Sequence, residues 1–349
     1  MKVIKFYPEN RAKLHIGDSQ GNLQETFSSD QLFSALYNNL VLLYGPDSRY
    51  ISELFTDTVF SSLLYGIGFY NISNGEKREL FFLPRPLAPI RKKEEMDLFE
   101  RKKEKKIKYI SVGAYKLLQK SWQREEKYFS FNLLDLILMG NQFACTREEI
   151  KSIGVDVAVL ESIKLFRINT SPKVAVSRTV DKSEHFFYQD EVEVVYNKNG
   201  DVLVKPFLYF FFRGDLNKKL WGALRLMADE GIGGKRSQGR GMLGTVSHEE
   251  WQEEIFEGDG DCFMTLSSMY PEYEDLGKML YYEITERSGY LYSQQGRPLR
   301  KKRVRLLREG SIFSGPVTGK LIDIRPDEFR EHEAYLNGKA FLISAAVEV

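Results

Sequence analysis

The residues best suited to chemistry in this 349-residue chain lie in one glycine-rich run, Gly231-Ile-Gly-Gly-Lys-Arg-Ser-Gln-Gly-Arg-Gly241. Glycine lets the main chain turn its N–H groups toward an anion without interference from Cβ, and successive amides so turned form a concave anion site. Phosphate suits such a site. Arg236 and Arg240 can each present two parallel donors to phosphate oxygens, Lys235 adds a point charge, and the Ser237 hydroxyl adds a further donor. Two nucleotide-binding motifs fail on spacing. A P-loop needs G-x-x-x-x-G-K-[ST], but Asp229 stands where its first glycine belongs and Arg236 follows Gly234-Lys235. Gly239-Arg-Gly241-Met-Leu-Gly244 has the form G-x-G-x-x-G, yet it follows an expected helix where a dinucleotide fold places it after a strand. The competing reading is a surface loop without a ligand.

Other chemistries find less support. The four histidines, His15, His185, His248 and His332, have no metal-binding spacing, and neither Cys145 nor Cys262 is near one. No metal or cofactor is implied. No G-x-S-x-G elbow marks an acyl-transfer nucleophile. The two widely separated cysteines fit a reduced, cytoplasmic setting and read as packing residues. Lys plus Arg number 50 against 49 Asp plus Glu, so any polyanion argument must rest on where the charges lie. They are segregated. Arg297, Arg300, Lys301, Lys302, Arg303, Arg305 and Arg308 contain no acid among them; this run can bind phosphates or an acidic neighbour, or guard an edge strand. No stretch approaches the roughly 20 apolar residues of a membrane-spanning helix, and the N-terminus lacks a signal-peptide core.

The elements that must position the glycine run follow from periodicity. Met1 to Tyr7 alternates as a strand and stops at Pro8. Ser28-Ser-Asp30 opens a helix with Leu32, Phe33, Leu36 and Leu40 on one face, closed by Gly45-Pro46. Residues 85–180 read as an insertion, within which Arg91 to Lys108 is a solvated helix of mixed charge. Glu191 to Tyr196, Asn199-Gly200 and Val202 to Phe212 read as a β-hairpin, with the Phe207 to Phe212 rings in the core. Leu220, Leu224 and Met227 then recur at helical spacing up to Gly231, and Met242 to Val246 supply a strand leaving the loop. The order is β-α-β-β-α-β, that of ferredoxin-like modules, many of which bind RNA. The fold class is thus α+β, with two ferredoxin-like (RRM-like) domains: 1–248 carrying the 85–180 insertion and the glycine-rich loop, 249–261 an acidic linker, and 262–349 a modified second copy.

Taken together, the Ser29-Asp30-x-Leu32-Phe33-x-Ala35 helix start and the glycine run after a later helix resemble the RAMP superfamily of CRISPR proteins. Phe82-Leu-Pro-Arg-Pro-Leu87, Ser314-Gly-Pro-Val-Thr-Gly-Lys-Leu-Ile-Asp-Ile324 and Gly338-Lys-Ala-Phe341 narrow the resemblance to the family of the fourth subunit of the type III-A Csm effector complex. That resemblance implies a non-catalytic protein of antiviral defence that binds the 5′ handle of a CRISPR RNA and caps the complex. Its implied neighbours are the large polymerase-like subunit and a repeated backbone subunit. It implies RNA contacts at Gly233, Gly234, Lys235, Arg236, Ser237, Gly239, Arg240 and Gly241, with His15 beside them. A protruding thumb falls around Arg178 to Phe187, and Arg178 is its candidate contact. The alternative within the superfamily is a metal-independent endoribonuclease of repeat RNA with His15 as general acid or base.

Overall fold

The computed structural model describes residues 1–17, 23, 27–47, 49–90, 97–122, 131–151, 153–176, 183–252, 255, 261–291 and 299–347. In chain order these include β1 (Lys2–Tyr7), α1 (Ser29–Tyr44), β2 (Leu64–Asn71), β3 (Lys77–Pro84), β4 (Tyr109–Ser111), α2 (Val112–Trp122), β5 (Ile137–Met139) and β6 (Phe143–Cys145). There follow β7 (Phe166–Val176), β8 (Ser183–Val194), β9 (Val202–Arg213), α3 (Lys218–Glu230), β10 (Thr245–Glu250), β11 (Cys262–Thr265), β12 (Ile284–Arg287), β13 (Val304–Leu307), β14 (Ile312–Phe313) and β15 (Leu342–Ala345). The main sheet runs β10-β1-β9-β2-β3-β4-β6-β5 and is antiparallel except between β4 and β6. Its first four strands, with α1 and α3, trace a β-α-β-β-α-β path in which β2, and not Glu191 to Tyr196, is the second strand.

The six consecutive aromatic or leucine residues of β9 are buried because both faces of the sheet are covered. Leu208, Phe210 and Phe212 share a core with Leu32, Leu36, Leu224 and Met227 of the two helices. Phe207, Tyr209 and Phe211 join Tyr115 and Trp122 of α2 and Met264, Phe341 and Ile343 of the C-terminal part. Two-sided burial explains why this strand shows no polar alternation. Here the aromatic run is core, as its sequence suggested.

Three expectations need correction. Residues 85–180 are not a separate insertion throughout, because β4, β5 and β6 continue the main sheet. The charged helix within the segment does form, over Leu98–Lys106, and buries none of its residues. Asn199-Gly200 does turn the chain between Asn197–Asn199 and β9. Glu191 to Val194, however, belongs to β8, which pairs with β7 in a long hairpin. Beyond Glu230 the described residues contain no α-helix, only 3₁₀ turns at Arg236–Gln238 and Tyr273–Lys278, so the described part of the second half shows none of the helices of a ferredoxin-like copy. Its β11, β14 and β15 form one sheet with Met279–Tyr281, and β12 pairs with β13. No helix among the described residues is long and apolar enough to cross a membrane.

Candidate nucleic-acid interface

Helix α3 delivers the glycine loop. Asn217 caps its start by accepting from the Leu220 N–H at 2.9 Å, and Leu220, Leu224 and Met227 hold its inner face in the core. It ends at Gly231, whose N–H donates to Met227 O at 2.9 Å. The loop then folds back on itself. Ile232 N–H donates to Gly241 O at 3.0 Å, and Leu243 N–H donates to Ala228 O at 3.0 Å. The segment after β1 supports it from below: Gly241 N–H donates to Lys13 O and Gly234 N–H to His15 O, each at 2.8 Å.

Two glycines are needed for steric reasons. Gly241 has φ +86°, and a Cβ there would lie 2.0 Å from Ile232 O. At Gly233, with φ +75°, a Cβ would lie 2.5 Å from His15 O. At the crest, Lys235 takes the left-handed conformation (φ 61°, ψ 23°) and Arg236–Gln238 make one 3₁₀ turn. Lys235, Arg236, Ser237 and Gly239 are exposed. The crest therefore offers two cations and a hydroxyl on a backbone fixed at both ends.

Arg240 has a different place. Its Nε donates to Glu191 on β8, a carboxylate with no solvent exposure that also accepts from Gln189 Nε2 at 2.8 Å and lies 3.4 Å from Lys13 Nζ. Burial alone would push the Glu191 carboxyl up, but Arg240 and Lys13 outweigh it and hold the group below the usual carboxylate range. Much of the Arg240 charge is thus compensated within the protein. Its geometry ties the glycine loop to the β7–β8 hairpin.

Beside the crest lies a cleft of about 310 Å³. One wall is α1, another is the glycine loop with Arg236, and the third carries Arg287, Lys301 and Lys302 from the second half. The helix start fixes this junction. Ser29 Oγ accepts from Ser268 N–H at 3.0 Å, Ser29 N–H donates to Ser62 Oγ at 2.9 Å, and Arg287 donates to Ser28 Oγ at 2.6 Å and to Asp30 Oδ2 at 3.1 Å. Burial lowers the Lys301 ammonium from its ordinary value, opposed by the charge of Asp30.

The chain is similar to known proteins over nearly its whole length. Residues 258–345 match the model of the CRISPR Csm4 C-terminal domain. The chain is 28% identical to the CRISPR system Cms protein Csm4 of Methanocaldococcus jannaschii, over 98% of this chain and 97% of that one. The chain is similar to Csm4 over nearly its whole length, and its residues 258–345 match the Csm4 C-terminal domain. Its fold is similar to that of a chain in the Csm3-Csm4 subcomplex of the type III-A CRISPR-Cas interference complex, with TM-score 0.65 and 24% identity over 98% of this chain and 99% of that one. A chain of the Csm1-Csm4 cassette in complex with cA4 matches with TM-score 0.56 and 15% identity over 100% of this chain and 98% of that one.

In this Csm4-like chain the loop residues named from the sequence and His15 come together. His15 Nδ1 is 2.9 Å from Asp190 O, so that nitrogen donates, and the ring lies against Gly234. Arg178 lies outside the described residues. On the adjoining hairpin, Phe186 and Tyr188 are exposed and meet edge to face at 5.1 Å. The basic run divides: Lys301 and Lys302 line the cleft, with Lys302 Nζ 2.8 Å from Asp327 Oδ1, while Arg303 and Arg308 pair with Glu286 and Glu283 at the β12–β13 edge. Cys145 and Cys262 are buried free thiols, with Cys145 pushed up by burial and by Glu149. Asp30, Arg287 and Glu191 were not singled out as site residues from the sequence. Asn39 left a trace, because it falls on the Leu32 and Leu36 stripe of α1.

Proposed function

We propose that this Csm4-like chain is a non-catalytic, cytoplasmic subunit of a type III-A CRISPR RNA-guided effector complex, acting in antiviral defence. It holds the 5′ handle of the CRISPR RNA and caps the assembly beside the large polymerase-like subunit and the repeated backbone subunit. The exposed Lys235-Arg236-Ser237 crest, pinned over a cleft walled by Arg287, Lys301 and Lys302, carries the reading. A loop backbone already held by hydrogen bonds on both sides lowers the ordering cost of meeting phosphates. Gly233, Gly234, Lys235, Arg236, Ser237, Gly239 and His15 line the RNA path, Gly241 and Arg240 hold it in shape, and Arg178 belongs to the neighbouring hairpin as its thumb contact. The strand order β10-β1-β9-β2 supports a ferredoxin-like N-terminal domain over 1–248, whose last strand runs on to Glu250 within the 249–261 linker, followed by a β-rich unit over 262–349. The names of the matched structures, which join Csm4 to Csm3 and to Csm1, support the two partner assignments.

Sequencing the RNA that co-purifies with the chain from its native host tests this function. Short RNAs sharing one 5′ end are expected, and random fragments would overturn it. One observation favours an endoribonuclease instead: with Nδ1 donating to Asp190 O, the other ring nitrogen of His15 is left as an acceptor beside the loop. That reading requires cleavage of repeat RNA in EDTA that is lost in His15→Ala. The expected outcome is no product above background in either protein.

A further inference from the structure

Charge is divided unevenly between the walls of the cleft. Helix α1 carries no charged residue after Asp30, and its exposed residues lining the cleft are Ser34 and Asn38. They stand four positions apart, which puts them on one helical face about 6 Å apart along the axis. Among the described residues neither side chain has a hydrogen-bond partner. The facing walls carry two cations that also lack a hydrogen-bond or ion-pair partner among the described residues. Arg236 is exposed at the loop crest, and Lys301 is half-buried, its ammonium lowered by burial with the charge of Asp30 in opposition. Arg287 and Lys302 differ, being paired with Asp30 and Asp327. Buried Phe27, Ile324 and Leu336 give the cleft an apolar floor.

An RNA strand has the same division, with anionic phosphates joined through neutral riboses. A 2′-hydroxyl both donates and accepts, as do a serine hydroxyl and an asparagine amide, so Ser34 and Asn38 can each meet one in either sense. A carboxylate at their positions would repel the adjoining phosphates, and a cation would pair with phosphate in place of sugar. We propose that the cleft seats the sugar–phosphate strand of the RNA, with Ser34 and Asn38 bonding 2′-hydroxyls and Arg236 and Lys301 holding phosphates, so that the chain selects ribose over deoxyribose. This assignment rests on the RNA-holding function above and adds sugar selectivity to it. None of the four side chains is spent on a base edge, so the selection is independent of sequence.

The test is filter binding of the full chain to oligoadenylate and oligodeoxyadenylate of equal length. The ribo form is expected to bind roughly tenfold more tightly, the effect of two hydrogen bonds at the lower end of their range. Ser34→Ala with Asn38→Ala removes both groups and raises helix propensity, so the fold is not at risk. It should weaken the ribo form to the level of the deoxy form and leave the deoxy form unchanged. Lys301→Met should weaken both forms alike, keeping their ratio and flattening each salt slope by about 0.7. Equal binding of the two forms by the unmodified chain, or a ribo preference that survives in the double variant, would overturn the sugar contacts. An unaltered salt slope in Lys301→Met would overturn the phosphate seat, and none of these results touches the RNA-holding function. Absence of binding to oligoadenylate would remove that function and the cleft assignment with it.

Discussion

Replacing Arg240 with methionine removes the cation from a carboxylate that has no route to water. Glu191 is fully buried and the Arg240 side chain is 20% exposed. Breaking a buried pair by deleting one partner costs about 3–5 kcal/mol, because the surviving charge stays desolvated. Gln189 at 2.8 Å and Lys13 at 3.4 Å remain beside Glu191 and place the expected loss near the lower end, roughly 3 kcal/mol. Urea unfolding followed by intrinsic fluorescence measures it. Pairing Arg240→Met with Glu191→Gln should recover much of the loss, since no buried carboxylate is then left uncompensated. RNA affinity of the single variant should fall only as far as the loop loosens. Arg240→Met that unfolds like the unmodified chain, yet loses RNA binding as completely as Lys235→Ala with Arg236→Ala, would refute the assignment of Arg240 as a strut.

Three further outcomes are expected. Because Glu191 titrates below an ordinary carboxylate, its pairing stabilises the fold at neutral pH and the benefit is lost as pH falls through that lowered value; Glu191→Gln should flatten the acid limb of a stability profile. Gly241→Ala should lower both the melting temperature and RNA affinity, since its Cβ meets Ile232 O at 2.0 Å, while Gly239→Ala, with open space around it, should cost only about 1–2 kcal/mol of backbone strain. Phe210→Ala, at a fully buried site beneath both helices, should cost about 3–5 kcal/mol in urea unfolding without changing the salt dependence of RNA binding.

How far the sequence foretold the structure depends on the range of the interaction. Helix α1 was legible from its Ser28 cap, its apolar stripe and Gly45, and α3 from Leu220, Leu224 and Met227, because local rules govern both. The pairing of strands was not: Glu191 to Val194 alternates as well as any partner for β9, yet it pairs with β7, a choice made by the packing of distant segments. The glycine loop was legible as a tight cationic loop after a helix because its glycines and cations are consecutive residues. Which of its cations faces outward was not, since the difference between Arg236 and Arg240 is made by Glu191, 49 residues away. The cleft was hidden for the same reason. Its walls come from Asp30, Gly231 and Lys301, which no spacing rule connects.

The salt dependence of RNA binding tests the role of the loop crest most directly. Each phosphate contact on a single strand contributes about 0.7 to the slope of log affinity against log salt concentration. Lys235→Ala with Arg236→Ala should therefore weaken binding and flatten that slope by about 1.4 in a filter-binding titration. An affinity and a slope equal to those of the unmodified chain would contradict the claim that the loop crest holds the RNA backbone.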